Sequence, residues 1–138
     1  MTEKKEDNNL RREKLLELQN LDSQIKQVED QMVQIEEQIL EVANLIESLK
    51  EISNVKKGEE ILVPVANGIF LKAKIEDTEN LKVNVGSGVV VDKTLNETID
   101  MLKTQIKNIE QYKDEMFAQL QQMINHASQL QAYIVGEG

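Results

Sequence analysis

The middle of the chain, residues 58–92, reads GEEILVPVANGIFLKAKIEDTENLKVNVGSGVVVD. Within it, apolar residues alternate in two pairs of short runs, and a period of two is typical of a β-strand with one buried face. Asn67-Gly68 separates the first two runs, and Gly86-Ser87-Gly88 separates the second two. Asn-Gly between alternating runs predicts a hairpin turn in which both central residues have positive φ. The stretch therefore predicts two β-hairpins.

These hairpins are expected to be completed by other chains. A two-stranded hairpin is marginal in water, and this stretch has no amphipathic helix of its own to cover its apolar residues. Pro64 lacks an N–H and belongs at a strand edge or a bulge. We expect the strand edges and apolar faces to form an oligomer interface. Its candidate residues are Ile61, Val63, Val65, Ile69, Leu71, Ile75, Leu81, Val83, Val85, Val89 and Val91.

The segments on either side have the seven-residue repeat of a coiled coil. In the first segment the a and d positions are Leu18, Leu21, Ile25, Val28, Met32, Ile35, Ile39, Val42, Ile46 and Leu49. In the second they are Leu95, Ile99, Leu102, Ile106, Ile109, Lys113, Met116, Leu120, Met123, Ala127, Leu130 and Ile134. Only Lys113 interrupts the apolar seam, so both segments are predicted to be long helices, each on the order of 65 Å.

The predicted boundaries are a disordered N-terminus at 1–8, an N-terminal coiled-coil helix at 9–53, a double-hairpin assembly module at 54–91, a C-terminal coiled-coil helix at 92–135 and a tail at 136–138. Thr94 and Glu97 have the spacing of a capping box at the start of the second helix. Two helices of similar length joined by a compact module predict an antiparallel coiled coil. The fold class is therefore mainly α with a small β part.

Lys113 is the one polar residue of this seam. In the antiparallel register it lies near Met32, where Glu29 and Glu36 at e positions can accept its ammonium group. We read it as a residue that sets the register of the two helices and reaches out to those carboxylates. The alternative is that Lys113 contacts a bound polypeptide.

The free end of the predicted coil has an excess of apolar residues. The seam positions before Leu18 are Lys14 and Arg11, so we expect the dry seam to stop near Leu18. An apolar surplus at a charged end predicts a binding surface; the alternative is that these side chains pack on each other or fray. The candidate binding residues are Leu10, Leu15, Leu16, Leu18, Phe117, Met123, Ile124, Leu130, Tyr133 and Ile134.

Composition excludes several classes of protein. The chain has 138 residues, 3% aromatic residues and no Trp, which is typical of coiled coils and does not favour a large globular core. The absence of Cys excludes disulfides, thiolate catalysis and Cys-based zinc sites. A net charge of −9 argues against nucleic acid as a partner. No run approaches the roughly 18 apolar residues of a membrane span, and the N-terminus has no apolar core of a secretory signal, so we expect a cytoplasmic protein.

Catalytic constellations are not evident, and we expect neither an enzyme nor a cofactor or metal. His126 is the only histidine, falls at a surface g position and has no nucleophile or second ligand near it in sequence. Lys93-Thr94 follows a glycine-containing turn, but Asp92 stands where a phosphate-binding loop needs glycine. A carboxylate there would repel phosphate, so ATP use is not expected.

A long heptad helix, two β-hairpins and a second long heptad helix resemble the plan of the prefoldins. The residues that carry the resemblance are those of the hairpins, from Ile61 to Ile75 and from Val83 to Lys93. The chain resembles the α-type subunit, which has two hairpins where the β-type has one. The resemblance covers nearly the whole chain, although the helices match in pattern only.

The resemblance implies an assembly and a function. In prefoldins the hairpins pair into oligomeric β-barrels that join α-type and β-type subunits, and the coiled coils project from that body. Their ends hold unfolded polypeptides without ATP and pass them to a group II chaperonin, so the candidate binding residues above become candidate client-binding residues. Some α-like prefoldins resemble filament formers, so a homo-oligomeric filament or scaffold is the alternative. The same edges that close a ring can propagate when the rotation does not close.

Overall fold

The computed structural model describes residues 2–136, and its elements are those that the sequence predicts. Along the chain, two antiparallel hairpins lie between two long helices, which confirms the expected fold class. In chain order the elements are α1 (Thr2–Ile52), β1 (Glu60–Ala66), β2 (Ile69–Lys74), β3 (Asn80–Gly86), β4 (Val89–Thr94) and α2 (Leu95–Ile134). The strands form two separate two-stranded sheets, β1-β2 and β3-β4.

Helix α1 begins earlier than the sequence prediction. It starts at Thr2, whereas residues 1–8 were expected to be disordered. The physical reason is that residues 3–9 contain Glu, Lys, Asp and Asn but no Gly or Pro, so nothing in them terminates a helix that is already propagating. At the other end α1 stops at Ile52, close to the expected residue 53. Met1, and residues 137–138 of the expected tail, lie outside the described residues.

The chain divides into two compact units. The hairpin unit contains residues 39–108, and the end unit contains the described residues up to Gln38 together with those from Ile109 onward. In the hairpin unit, the core is a cluster of Ile46, Ile99 and Leu102 from the two helices. The expected neighbours Ile46 and Ile99 therefore do pack together, which supports the antiparallel register.

The seam of the end unit is apolar and continuous for longer than expected. Apart from the exposed Arg11, its a and d positions are buried or half-buried, and they include Leu21, Ile35, Met116 and Leu120. The expectation that the dry seam stops near Leu18 is wrong, because Leu130 is only 4% exposed. Its burial is possible beside Lys14 because a lysine can lay its methylene stem along the seam while its ammonium stays outside. The Lys14 side chain is accordingly half-buried, and its Nζ lies 3.8 Å from Glu17 Oε2.

The first hairpin has a different turn from the predicted one. Gly68 has a φ of 74°, but Ser87 is the only described non-glycine residue with positive φ, so Asn67 does not have one. The reason is a bulge in β1: the register shifts between Pro64 and Ala66, which leaves Val65 as an extra residue and changes the twist that the turn must match. The bulge also follows the one proline in the strand, in agreement with the expected place for Pro64.

The second hairpin has the turn that the sequence suggested for the first. Ser87 and Gly88 both have positive φ, 52° and 75°, as the central residues of a type I′ turn do. The strands are again bulged, here between Asn84 and Gly86. The Asn84 side chain accepts a hydrogen bond from the Gly86 N–H at 2.9 Å and supports this bulge.

A capping box joins the second hairpin to α2, as predicted. The Glu97 N–H donates to Thr94 Oγ1 at 3.1 Å, and the Thr94 N–H donates to Glu97 Oε1 at 3.1 Å. The second of these bonds, from the Thr94 N–H to the Glu97 carboxylate, is the main reason that the pKa of Glu97 lies below its usual value. Helix α2 therefore starts at a fixed residue directly after β4.

Candidate functional site

The first candidate site is the apolar surface of the hairpins. Cross-strand partners share a face, so Val63 and Leu71 lie together on one side of the first hairpin, and Val83 and Val91 lie together on one side of the second. Of the eleven predicted interface residues, six are exposed: Val63, Val65, Ile69, Leu71, Val85 and Val89. The other five are half-buried: Ile61, Ile75, Leu81, Val83 and Val91. Each strand also has a single pairing partner, which leaves one edge of every strand open.

The first hairpin has a second apolar face that the sequence prediction missed. Leu62 and Phe70 are 63% and 54% exposed, and their positions alternate with those of the predicted interface residues. The corresponding face of the second hairpin is mostly polar: Lys82 and Asp92 pair directly across the strands, Asn84 lies opposite Val90, and Val90 is its exposed apolar residue. The ion pair raises the pKa of Lys82, chiefly through the hydrogen bond to Asp92. The sequence signal for this missed face was that β1 has apolar residues at both odd and even positions, and therefore on both of its faces.

The second candidate site is the apolar surface of the end unit. Leu10, Leu15, Leu16 and Phe117 are exposed, at 40%, 43%, 56% and 52%. Leu18, Met123, Ile124, Tyr133 and Ile134 are half-buried, and Leu130 is buried. The structure therefore sorts the ten candidates into four exposed side chains that a ligand can reach directly, two half-buried residues beside the seam, Ile124 and Tyr133, and four seam residues that it can reach fully only if the coil opens.

His126 makes a contact that the sequence prediction missed. Its Nε2 lies 2.9 Å from Glu17 Oε1, which links α2 to α1 within the end unit. This hydrogen bond is the main reason that the pKa of Glu17 lies below its usual value, and the charge of Lys14 adds to the effect. The pairing depends on the register of two antiparallel helices, and it is not visible in the sequence around either residue.

Lys113 is placed as predicted. Its side chain is half-buried at an a position, and its Nζ lies 3.2 Å from Glu36 Oε1. An ion pair with Glu29, the other expected partner, is not formed among the residues that the structure describes. The register-setting interpretation of Lys113 is thus supported by its contact with α1.

Two further kinds of site were sought in the described residues. No group of three or more His, Cys, Asp or Glu side chains there is arranged to hold a metal ion. Within residues 2–136, neither helix is long and apolar enough to cross a membrane. A cavity of about 810 Å³ lies wide open beside the connection between the hairpins. Its carboxylate Asp77 is already engaged by the N–H of Glu79 at 2.8 Å and by Asn80, and these bonds hold the pKa of Asp77 below its usual value.

Comparison with known proteins agrees with this architecture. The family model described as "Prefoldin subunit" matches residues 21–135. The chain is 36% identical over 122 residues to prefoldin subunit alpha of Methanopyrus kandleri, which covers 83% of this chain and 75% of that one. It is 33% identical over 104 residues to prefoldin subunit alpha 1 of Methanocaldococcus jannaschii, covering 75% and 70%.

A solved structure has the same fold. A chain of filamentous PFD from Methanocaldococcus jannaschii, determined by cryo-EM, matches with a TM-score of 0.76 at 17% identity and covers 83% of this chain and 95% of that one. The family match over most of the chain, the alpha-subunit relatives and the helix–hairpin–hairpin–helix order all agree. The chain therefore belongs to the prefoldin family, whose members are chaperones and not enzymes.

Proposed function

We propose that this chain is a subunit of an ATP-independent chaperone that captures non-native polypeptides at the end unit. One observation carries the proposal: four large apolar side chains, Leu10, Leu15, Leu16 and Phe117, are at least 40% exposed in a segment otherwise rich in charge. Apolar side chains that find no partner in their own chain can cover the apolar side chains of another. Each such side chain contributes about 1.5–3 kcal/mol when fully buried.

Assembly through the hairpins increases the affinity for a client polypeptide, because several end units can bind it at once. The exposed hairpin faces and open strand edges are surfaces that β-type prefoldin subunits, or further copies of this chain, can complete. An assembly presents several end units to one polypeptide, and the affinity then multiplies with the effective concentration of the second and third contacts. Release without ATP is compatible with such weak contacts, and the receiving partner in this proposal is a group II chaperonin.

The test replaces exposed leucines without opening the coil. Deleting the ends would also remove Leu130 from the seam, so substitution is the cleaner change. Leu15→Ser with Leu16→Ser should reduce the suppression of aggregation of a chemically unfolded client, measured by turbidity, at unchanged mass of the assembly. Leu40→Ser with Leu45→Ser is the matched control, because these leucines are similarly exposed, at 60% and 48%, in the hairpin unit. Equal suppression by both variants would place the client elsewhere.

A second candidate function is a homo-oligomeric filament or scaffold. It is favoured by the fold that the chain shares with a chain of filamentous PFD, and by the open edges of both hairpins. The same interface closes or propagates according to the angle between neighbouring copies. The mass of the purified chain, measured by light scattering after size exclusion, separates the two candidates. A dimer that waits for β-type partners supports the closed chaperone, whereas polymers of growing length support the filament.

A further inference from the structure

The two flanks of the coil differ in charge within the end unit. On one flank Lys113 pairs with Glu36. On the other flank the pair of Glu17 and His126 lies toward the chain ends, but the g positions from Gln24 to Gln38 of α1 and Tyr112 of α2 carry uncharged side chains, and we call this stretch the uncharged flank. The e and g positions of coiled coils usually carry charges that select a partner helix. An uncharged flank therefore needs another explanation in a chain with a net charge of −9.

This uncharged flank contains an open groove of about 250 Å³. The glutamines on its rim are exposed, and Tyr112 is 55% exposed. The floor is apolar, because Ile35 and Met116 are buried seam residues. The lining residues are Gln31, Gln34, Ile35, Gln38, Ile109, Tyr112 and Met116.

The glutamine side chains on the rim carry amide groups, which have the same kinds of hydrogen-bond donors and acceptors as a peptide backbone. A glutamine side chain offers two donors and two acceptor lone pairs, so it can pair with the N–H and C=O groups of any extended chain. Within the described part of the chain, the amides of Gln31, Gln34 and Gln38 take part in none of the side-chain hydrogen bonds. They are therefore free to bond to a ligand.

The spacing of these amides matches an extended segment. Gln31 and Gln38 lie seven residues apart in one helix, which corresponds to about 10.5 Å along its axis. Three residues of an extended strand span about 10 Å. An extended segment that runs along α1 can therefore use the three amides in turn, with an apolar side chain against the floor and the Tyr112 ring.

We infer that this groove binds one short extended segment of a non-native polypeptide through its backbone, independently of its sequence. The inference rests on the proposed function and adds a second subsite to the apolar surface of the end unit. The two subsites divide the recognition of a client: exposed leucines select for apolar side chains, and the glutamines select for a backbone that is not yet paired in secondary structure.

Other occupants fit the groove less well. Its volume lies below the roughly 300–1,000 Å³ of small-molecule pockets, and it is not enclosed, so a metabolite would stay solvated. A second copy of the coil would need about 800 Å² on each partner for a stable contact, and a groove lined by seven residues provides far less.

The experiment uses two fluorescein-labelled peptides of alternating leucine and serine, one of them N-methylated at every second backbone nitrogen. The side chains are the same, but the methylated peptide has lost half of its backbone donors. Fluorescence anisotropy should show that the wild-type assembly binds the unmodified peptide roughly tenfold more tightly. The variant Gln34→Ala with Gln38→Ala should bind both peptides about equally. Alanine has a higher helix propensity than glutamine, so the coil itself should stay intact.

Gln19→Ala with Gln27→Ala is the matched control, since both glutamines are exposed on α1 and neither lines the groove. This control should keep the preference for the unmodified peptide. A wild-type assembly that binds both peptides equally, or a groove variant that keeps the preference, would overturn the inference and leave the proposed chaperone function standing. A wild-type assembly that binds neither peptide would contradict both.

Discussion

The contact between Glu17 and His126 is where single side chains tie the two helices of the end unit together. Glu17 also lies 3.8 Å from Lys14, so its carboxylate has partners on both helices. The pKa of Glu17 lies below its ordinary value, first because of the hydrogen bond with His126. A carboxyl group with a lowered pKa stabilises the fold above its unfolded pKa, and this stabilisation is lost as the pH falls through the folded pKa.

Glu17→Gln is therefore expected to lower the unfolding midpoint at neutral pH by a small amount, since the pair is exposed. The difference from wild type should shrink as the pH falls below 4.5, because Glu17 itself becomes neutral there. Thermal unfolding followed by circular dichroism at several pH values measures this. Glu13→Gln on the same helix is the control, since Glu13 is exposed and forms no ion pair among the described residues. A difference that does not vary with pH would contradict the prediction.

The sequence predicted single residues well where the heptad repeat and an approximate register of the two helices were enough to place them. Lys113 was expected at the seam with Glu36 because the heptad repeat defines both positions. The pair of Glu17 and His126 was missed because it depends on the exact register of two chain segments. Leu130, a seam residue, was counted among the candidate binding residues because Lys14 was treated only as a charge, although the lysine stem can also cover the seam.

At the scale of the elements, the charged Lys113 in the seam between α1 and α2 is expected to lower the stability of the coiled coil. Lys113→Leu should raise the unfolding midpoint, because an apolar residue at an a position adds buried surface and removes a half-buried charge. It should also loosen the choice of register, since a leucine no longer needs Glu36 opposite it. Thermal unfolding measures the first effect, and disulfide trapping between cysteines placed at Ile46 and Ile99 measures the second. A lower midpoint would mean that the ion pair with Glu36 outweighs the apolar packing.

The hairpins as elements show how far a pattern of alternation can predict structure. Strand positions, pairing and the capping box at Thr94 followed from local sequence, because each depends on residues close together in the chain. The turn types did not follow, since the bulges at Val65 and before Gly86 move the register by one residue. An alternating pattern of apolar residues does not reveal a bulge. Asn67 in the first turn was therefore predicted to have a positive φ, but among the described non-glycine residues it is Ser87, in the second turn, that has one.

At the scale of the whole molecule, the hairpin faces decide whether the chain assembles. Val83 is half-buried opposite Val91, on the face that the sequence predicted as an interface. Val83→Asp should abolish oligomerisation and leave α1 and α2 helical, because an unpaired carboxylate in a closed interface costs several kcal/mol. Light scattering measures the mass, and circular dichroism measures the helix content.

Val90→Asp is the matched control for this change. Val90 lies in β4, on the opposite face of the same hairpin, and is 56% exposed, so a carboxylate there can stay in water. Its variant should keep the mass of the wild-type assembly. An unchanged mass for Val83→Asp as well would count against this face as the interface.

The exposed hairpins have a consequence for what stability means in this protein. Among the residues that the structure describes, no side chain is fully buried, and the largest apolar residues of the hairpins face water. Much of the apolar surface is therefore left for a neighbouring chain to bury, and that burial follows mass action. The unfolding midpoint should therefore fall on dilution and rise with protein concentration. It depends on the protein concentration as well as on the sequence.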